Sequence, residues 1–173
     1  MTLSTILEPF DRNPSVSTDT RKIQKNDIFF ALKGANFNGN LFAEKALDAG
    51  ASIAVVDEAE VVKDDRYVLV DNVLETLQAL GTAHRRRYSI PFIGITGTNG
   101  KTTTKELVHA VLSSQMKVHA TKGNLNNHIG VPLTLLRIPE GTEIAIVEMG
   151  ANKLGDIAEL AAIAEPDYGL ITN

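Results

Sequence analysis

The residues best suited to chemistry lie between Phe92 and Thr104, which read FIGITGTNGKTTT. Gly97 and Gly100 enclose Thr98 and Asn99, and Lys101, Thr102 and Thr103 follow directly. A lysine and a threonine leaving a glycine-rich turn suit a triphosphate. Backbone N–H groups of the turn and the positive end of the next helix face the phosphates, Lys101 supplies a point charge between the outer ones, and the Thr102 hydroxyl can ligate Mg²⁺. The general phosphate-loop pattern would put a glycine at position 95, where Ile95 stands; the glycine present comes two residues later. A strand–turn–helix corner in which the glycines only permit the turn is the bland alternative, and it leaves Lys-Thr at that corner unexplained.

Glu148 is the second anchor. It ends the apolar run Ile144–Val147 and precedes Met149-Gly150. A carboxylate at the carboxyl end of a strand is a natural Mg²⁺ ligand, whereas a surface glutamate would merely end the strand. Lys101 and Glu148 are therefore the candidate catalytic pair, and Thr102 and Glu148 the candidate metal ligands. The loop from Gly123 to His128 carries Asn124, Asn126, Asn127 and His128. Amides and an imidazole can bond a sugar, peptide or pyrophosphate, or satisfy the loop's own backbone. Two polar clusters precede these, Thr18-Asp19-Thr20-Arg21 and Asn38-Gly39-Asn40. Composition alone reads them as ordinary loop chemistry beside strands.

These groups need elements to hold them. Apolar runs at 28–32, 52–56, 67–70, 92–95, 117–120, 143–147 and 168–172 read as strands, and 16–21 as a polar one. Helical patterns run from Thr2 to Phe10, with Pro9 and Pro14 bracketing a turn, over 41–49, 133–137 and 154–164, after Asn72 with Leu74, Leu77 and Leu80 on one face, and after the Lys-Thr of the glycine-rich turn. Asn72 is placed to cap one helix, with Glu75 three residues on. Leu107, Val108, Val111 and Leu112 read as the buried face of the helix after the phosphate loop. Residues 34–40 read as a loop, and His84-Arg85-Arg86-Arg87 as a solvated helix end. Alternating strands and helices predict an α/β fold with mostly parallel sheets. The three arginines and Pro91 suggest a boundary near residue 88. That gives a small α/β domain over 1–88 and the first part of a phosphate-loop α/β domain over 89–173. The final strand is expected to lead into residues that the sequence does not contain, so the chain reads as an amino-terminal fragment.

Composition narrows the classes. The chain has 173 residues, 43% of them hydrophobic, enough for a buried core. Its net charge of −4 and lack of a basic stripe argue against nucleic acid. There is no cysteine, which excludes disulfides, thiolate catalysis and Cys-based zinc sites. No apolar run approaches the ~20 residues that span a bilayer.

Taken together, these motifs resemble the Mur ligases, which build the peptidoglycan stem peptide. Gly97-Thr98-Asn99-Gly100-Lys101-Thr102-Thr103 is similar to that family's own phosphate loop, with its departure at Ile95. Asp19-Thr20-Arg21, the stretch Asn26–Gly34 and Asn38-Gly39-Asn40 are similar to the motifs of the family's UDP-binding amino-terminal domain, with Thr20 and Asn40 as substitutions. Residues 122–132 and Glu148-Met149-Gly150-Ala151-Asn152 are most similar to the branch that adds D-alanyl-D-alanine. The resemblance implies an ATP-dependent ligase, with Mg²⁺, working in the cytoplasm as a monomer. It would join D-alanyl-D-alanine to UDP-N-acetylmuramoyl tripeptide through an acyl phosphate. It also implies substrate contacts at Thr18, Asp19, Thr20, Arg21, Asn38, Gly39, Asn40, Asn126, Asn127 and His128. Neither nucleic acid nor membrane is an expected partner, and the fragment is expected to be inactive alone. The alternatives are the preceding ligase of the family, which adds diaminopimelate or lysine, a folylpolyglutamate-synthase-like protein, and a nucleotide-binding module without catalysis.

Overall fold

The structure is a computed structural model that describes residues 3–173. The chain divides into two compact units between Leu80 and Gly81.

The first unit begins with α1 (Ser4–Arg12). This helix runs through Pro9, where the sequence suggests a turn, and the Asn13 N–H donates to the Pro9 carbonyl. Pro9 forfeits one helical hydrogen bond. Ile6 and Phe10, one turn apart and fully buried, anchor the helix despite that loss. Thr2, where the helix was expected to start, lies outside the described residues. The unit continues with β1 (Val16–Ser17), β2 (Ile28–Phe30), β3 (Lys33–Gly34), β4 (Phe37–Asn38), α2 (Ala43–Asp48), β5 (Ile53–Val56), β6 (Tyr67–Leu69) and α3 (Val73–Arg85).

Strands β1, β2, β5 and β6 form a parallel sheet in the order β1-β2-β5-β6, as the alternating pattern predicts. β1 is shorter than expected because the Asp19 carboxylate accepts the Arg21 N–H and winds residues 20–22 into a 3₁₀ turn. Part of residues 34–40, expected as a loop, joins Lys33 in the antiparallel ribbon β3–β4. Phe29, Ala46, Leu47, Ala54 and Val56 form the core between sheet and helix. Asn72 caps α3 as expected, accepting from the Leu74 and Glu75 N–H groups at 2.9 and 3.1 Å. The division between the units falls within α3, upstream of the boundary suggested near residue 88.

The second unit contains β7 (Phe92–Gly97), α4 (Lys101–Leu112), β8 (Val118–Ala120), α5 (Gly130–Leu135), β9 (Ile144–Glu148), α6 (Asp156–Ala164) and β10 (Tyr168–Thr172). Its parallel sheet has the order β10-β7-β9-β8. Phe92, Val131, Leu135, Val147 and Leu160 form its core. Burying a side chain the size of Phe92 is worth roughly 1.5–3 kcal/mol.

Two expectations fail in this unit. Leu107 and Val111 of α4 are 63% and 70% exposed, while the fully buried residue of that helix is Lys105. The arginine cluster is also not simply solvated. Arg85 donates to the carbonyls of Ala164 and Glu165 and lies 4.1 Å over the Phe92 ring, and Arg86 pairs with Glu165. The end of α6 leaves carbonyls without helical partners and carries partial negative charge, and these guanidinium groups meet both needs.

Candidate functional site

Parallel strands put the residues that follow them on one edge. In the second unit that edge collects the loop after β7, the asparagine loop after β8 and Glu148 at the end of β9. Ligands of open α/β sheets bind at this edge.

Registration sets the geometry. Ile95 of β7 pairs with Glu148 of β9. Ile95 is therefore a buried strand residue and not part of the loop, which accounts for the missing glycine: the strand runs on to Gly97, and the turn is correspondingly shorter. Gly97 has φ +139°, and a Cβ there would lie 2.2 Å from the Thr172 hydroxyl oxygen. Only glycine fits. Thr172 Oγ1 donates to the carbonyls of Thr96 and Asn99 at 3.1 and 2.6 Å, which fixes the turn from the β10 side. Gly100, at φ +79°, is the left-handed residue that starts α4.

Lys101 begins α4 and reaches back over the turn. Its ammonium donates to the carbonyls of Gly97 and Thr98 at 2.6 and 3.3 Å. Thr98, Asn99, Thr102 and Thr103 are exposed, so the turn and the first helical turn are open to solvent. N–H groups in that first turn have no partner within the helix.

Glu148 is 1% exposed. Its Oε1 accepts from Thr102 Oγ1 at 3.1 Å and Asn126 Nδ2 at 2.8 Å. Its Oε2 is buried and has no hydrogen-bond partner among the described residues. Lys105 Nζ lies 3.6 Å from that oxygen, donates to the Thr121 carbonyl at 2.7 Å and pairs with Glu106. The Glu148 N–H donates to Thr121 Oγ1. A carboxylate with one orphaned oxygen beside a threonine hydroxyl is an all-oxygen donor set, and it fits a hard cation such as Mg²⁺.

Lys105, Thr121 and Thr172 escaped sequence reasoning. Lys105 left a signal, because it lies one helical turn after Lys101 and shares its face of α4. Thr121 and Thr172 left none that spacing could reveal.

The asparagine loop divides its tasks. Asn126 bonds Glu148. Asn127 Oδ1 accepts from the Ile129 and Gly130 N–H groups and so caps α5. His128 Nε2 lies 2.7 Å from Glu159 Oε2. His119 is buried and bonds the Thr134 carbonyl, and burial pushes its pKa down.

In the first unit, Thr18–Arg21 follow β1, and Asn38-Gly39-Asn40 lie between β2 and α2. Asp19 is gripped by the exposed Arg21 side chain through two bonds of 2.9 and 2.8 Å, which hold its carboxyl far below the usual carboxylate range. Asn38 and Asn40 are engaged internally. Asn40 Nδ2 donates to Asp57 Oδ1 at 2.8 Å, its Oδ1 accepts the Asp57 N–H, and Asn38 Nδ2 donates to Glu58. Lys33 Nζ adds ion pairs of 2.9 and 3.0 Å to Asp57 and Glu58. Gly39 is required by close approach, since a Cβ would lie 2.4 Å from the Leu32 carbonyl oxygen. No contact joins the 18–21 cluster to the 38–40 cluster among the bonds of the described residues.

A parallel sheet, a glycine turn leading to Lys-Thr at a helix start, and a buried carboxylate on the adjacent strand define the phosphate-loop class of α/β proteins. The affiliation can be made narrower. Residues 95–173 match the Mur ligase middle domain, and residues 14–91 match the domain described as Mur ligase family, catalytic domain. The chain belongs to the Mur ligase family. The UDP-N-acetylmuramoyl-tripeptide–D-alanyl-D-alanine ligase of Bacillus subtilis is 46% identical over 160 residues, which cover 91% of this chain and 35% of the relative. Among solved structures, the D-alanyl-D-alanyl ligase of Acinetobacter baumannii superposes with a TM-score of 0.84 at 33% identity, covering 91% of this chain and 35% of its own. The MurF ligase of Thermotoga maritima in complex with ADP gives 0.81 at 37% identity, covering 88% and 36%. The chain thus spans about a third of the length of these relatives. No helix among the described residues is long and apolar enough to cross a membrane.

Proposed function

We propose that these residues form the substrate-recognition and phosphate-loop portion of an ATP-dependent amide ligase that joins D-alanyl-D-alanine to UDP-N-acetylmuramoyl tripeptide. The observation that carries the reading is Glu148: buried, bonded to Thr102 directly after the glycine turn, and left with one oxygen without a hydrogen-bond partner, 3.6 Å from Lys105 Nζ. The named activity of the Bacillus and Acinetobacter relatives supports the substrate assignment.

In this reading the first unit, with Thr18–Arg21 and Asn38–Asn40 at its sheet edge, recognises the uridine nucleotide. The second unit takes ATP. A carboxylate is a poor electrophile; transfer of the terminal phosphoryl group of ATP to it, with release of ADP, makes an acyl phosphate, and attack by the amine of D-alanyl-D-alanine then forms the amide and releases phosphate. Thr102 and Glu148 would hold Mg²⁺, which would offset repulsion between the two anions. Lys101 exchanges its two loop carbonyls for phosphate oxygens and stabilises charge that develops there. Gly97, Thr98, Asn99, Gly100 and Thr103 contribute backbone N–H groups and the helix start. Asn126 fixes the rotamer of Glu148, Asn127 holds the loop by capping α5, and His128 borders the substrate. ATP and a UDP-linked precursor both point to work in the cytoplasm.

Calorimetric titration with UDP-N-acetylmuramoyl tripeptide, UDP and ATP–Mg²⁺ separately tests this. Binding of both UDP compounds and of ATP is expected. ATP binding without UDP binding at millimolar concentration would reject the substrate assignment and leave a nucleotide module. Absence of ATP binding would reject the role of the phosphate loop.

A further inference from the structure

His128, Asp156 and Glu159 lie outside the phosphate loop and bring three metal-ligating atoms within 4.8 Å of one another. His128 comes from the loop after β8. Asp156 opens α6, and Glu159, three residues on, lies on the same face of that helix.

Asp156 is the informative member. It is 3% exposed. Its Oδ2 accepts the Asn152 and Lys153 N–H groups at 2.8 and 3.0 Å, and these bonds lower its pKa, so the carboxylate is ready to bind a cation. Its Oδ1 is buried and has no hydrogen-bond partner among the described residues. That oxygen lies 4.0 Å from His128 Nε2, which in turn is 2.7 Å from Glu159 Oε2. Lys153 Nζ is 3.9 Å away, beyond hydrogen-bond reach, on a side chain free to swing into solvent. A buried carboxylate oxygen left unsatisfied is costly. The His128–Glu159 pair alone does nothing for it.

We propose that His128, Asp156 and Glu159 bind a borderline divalent cation of the Zn²⁺ type, with one imidazole nitrogen, two carboxylate oxygens and solvent in the remaining position. Donors about 2.0–2.2 Å from a tetrahedral ion are about 3.4 Å apart. The His128–Glu159 spacing must open, and the His128–Asp156 spacing close, each by less than about 1 Å, well within side-chain rotation at a partly exposed site. The mixed nitrogen–oxygen set favours Zn²⁺, Co²⁺ or Mn²⁺ over Mg²⁺, which is bound through oxygen. Its consequence is mechanical. The ion ties the loop that carries Asn126 and Asn127 to the start of α6.

Co²⁺ titration of the chain in millimolar Mg²⁺, read by visible d–d absorption, and Zn²⁺ calorimetry in the same buffer test the proposal. The Mg²⁺ saturates all-oxygen sites such as Thr102–Glu148. One saturable site is expected. Glu159→Gln, His128→Gln and Asp156→Asn should each weaken it by at least about tenfold. Glu159→Gln alters an exposed residue, so folding does not confound that variant. Binding undiminished in all three variants would overturn the proposal, as would absence of Co²⁺ and Zn²⁺ binding by the unmodified chain or displacement of Co²⁺ by Mg²⁺.

Discussion

Replacing Lys105 with methionine isolates the contact that sequence reasoning missed. Lys105 Nζ and Glu148 Oε2 are 3.6 Å apart, with side chains 0% and 1% exposed. At an effective dielectric of 20, two unit charges at that distance attract by about 4–5 kcal/mol. The Thr121 carbonyl also loses its donor, which costs about 1 kcal/mol more. Relief from burying the ammonium offsets part of this, and Met fills the space of the lysine stem. The net expectation is a loss of about 3–5 kcal/mol, because the Glu148 charge is stranded in the interior. Glu148→Gln in the same background removes that charge, so the double variant should be more stable than the two single losses would sum to. A coupling of about 2–3 kcal/mol is expected. Urea unfolding of the four proteins, followed by far-UV circular dichroism since the chain has no tryptophan, gives the cycle. Additivity within about 0.5 kcal/mol would refute the reasoning, since it would mean that the two buried groups do not sense each other.

Gly97→Ala should destabilise by about 2–5 kcal/mol, from left-handed strain plus overlap with Thr172, and should abolish ATP binding in the titration described above. A normally stable Gly97→Ala protein that binds ATP would show that the turn is not held in this form. In the first unit, Asp57 carries a pH dependence. Burial pushes its pKa up, but Lys33, Asn40 and the Val73 N–H outweigh this and leave it lowered. The unfolded chain, with a value of about 3.9, then takes up the proton first as pH falls. The stabilisation is complete above that value and is lost as pH drops through the lower folded one. Asp57→Asn should flatten the acid limb of a stability–pH curve; an unchanged limb would assign the acid sensitivity elsewhere.

The strand–turn–helix around residues 92–112 was legible because Gly97 and Gly100 take backbone conformations that few residue types adopt. The parallel sheets were legible because short apolar runs alternate with amphipathic ones. Apolar spacing failed on α4, where Leu107 and Val111 face solvent and Lys105 faces the sheet. Periodicity reports residue type, whereas the partner that makes a lysine welcome inside, Glu148, lies more than forty positions away in sequence. The ribbon at 33–38 was unreadable for a related reason. Its strands are two residues each, and side-chain bonds from Asn38 and Asn40 to Glu58 and Asp57 help hold it. Pro9 misled because a helix can absorb one missing hydrogen bond when the neighbouring turns are well buried.

The bond from Thr172 to the turn after β7 has a consequence during synthesis. Thr96 and Thr172 are 76 positions apart, and β10 hydrogen-bonds along the whole of β7. At translation rates of about 5–20 residues per second, the strand that sets the turn emerges about 4–15 s after the glycines do. We infer that the nascent turn is unformed for that interval. Ribosome-stalled chains ending before β10 should be cut by protease near Gly97, and chains that have released β10 should resist. Equal resistance at both lengths would refute the inference. A ribosome making this protein would expose the glycine turn early and set its shape late.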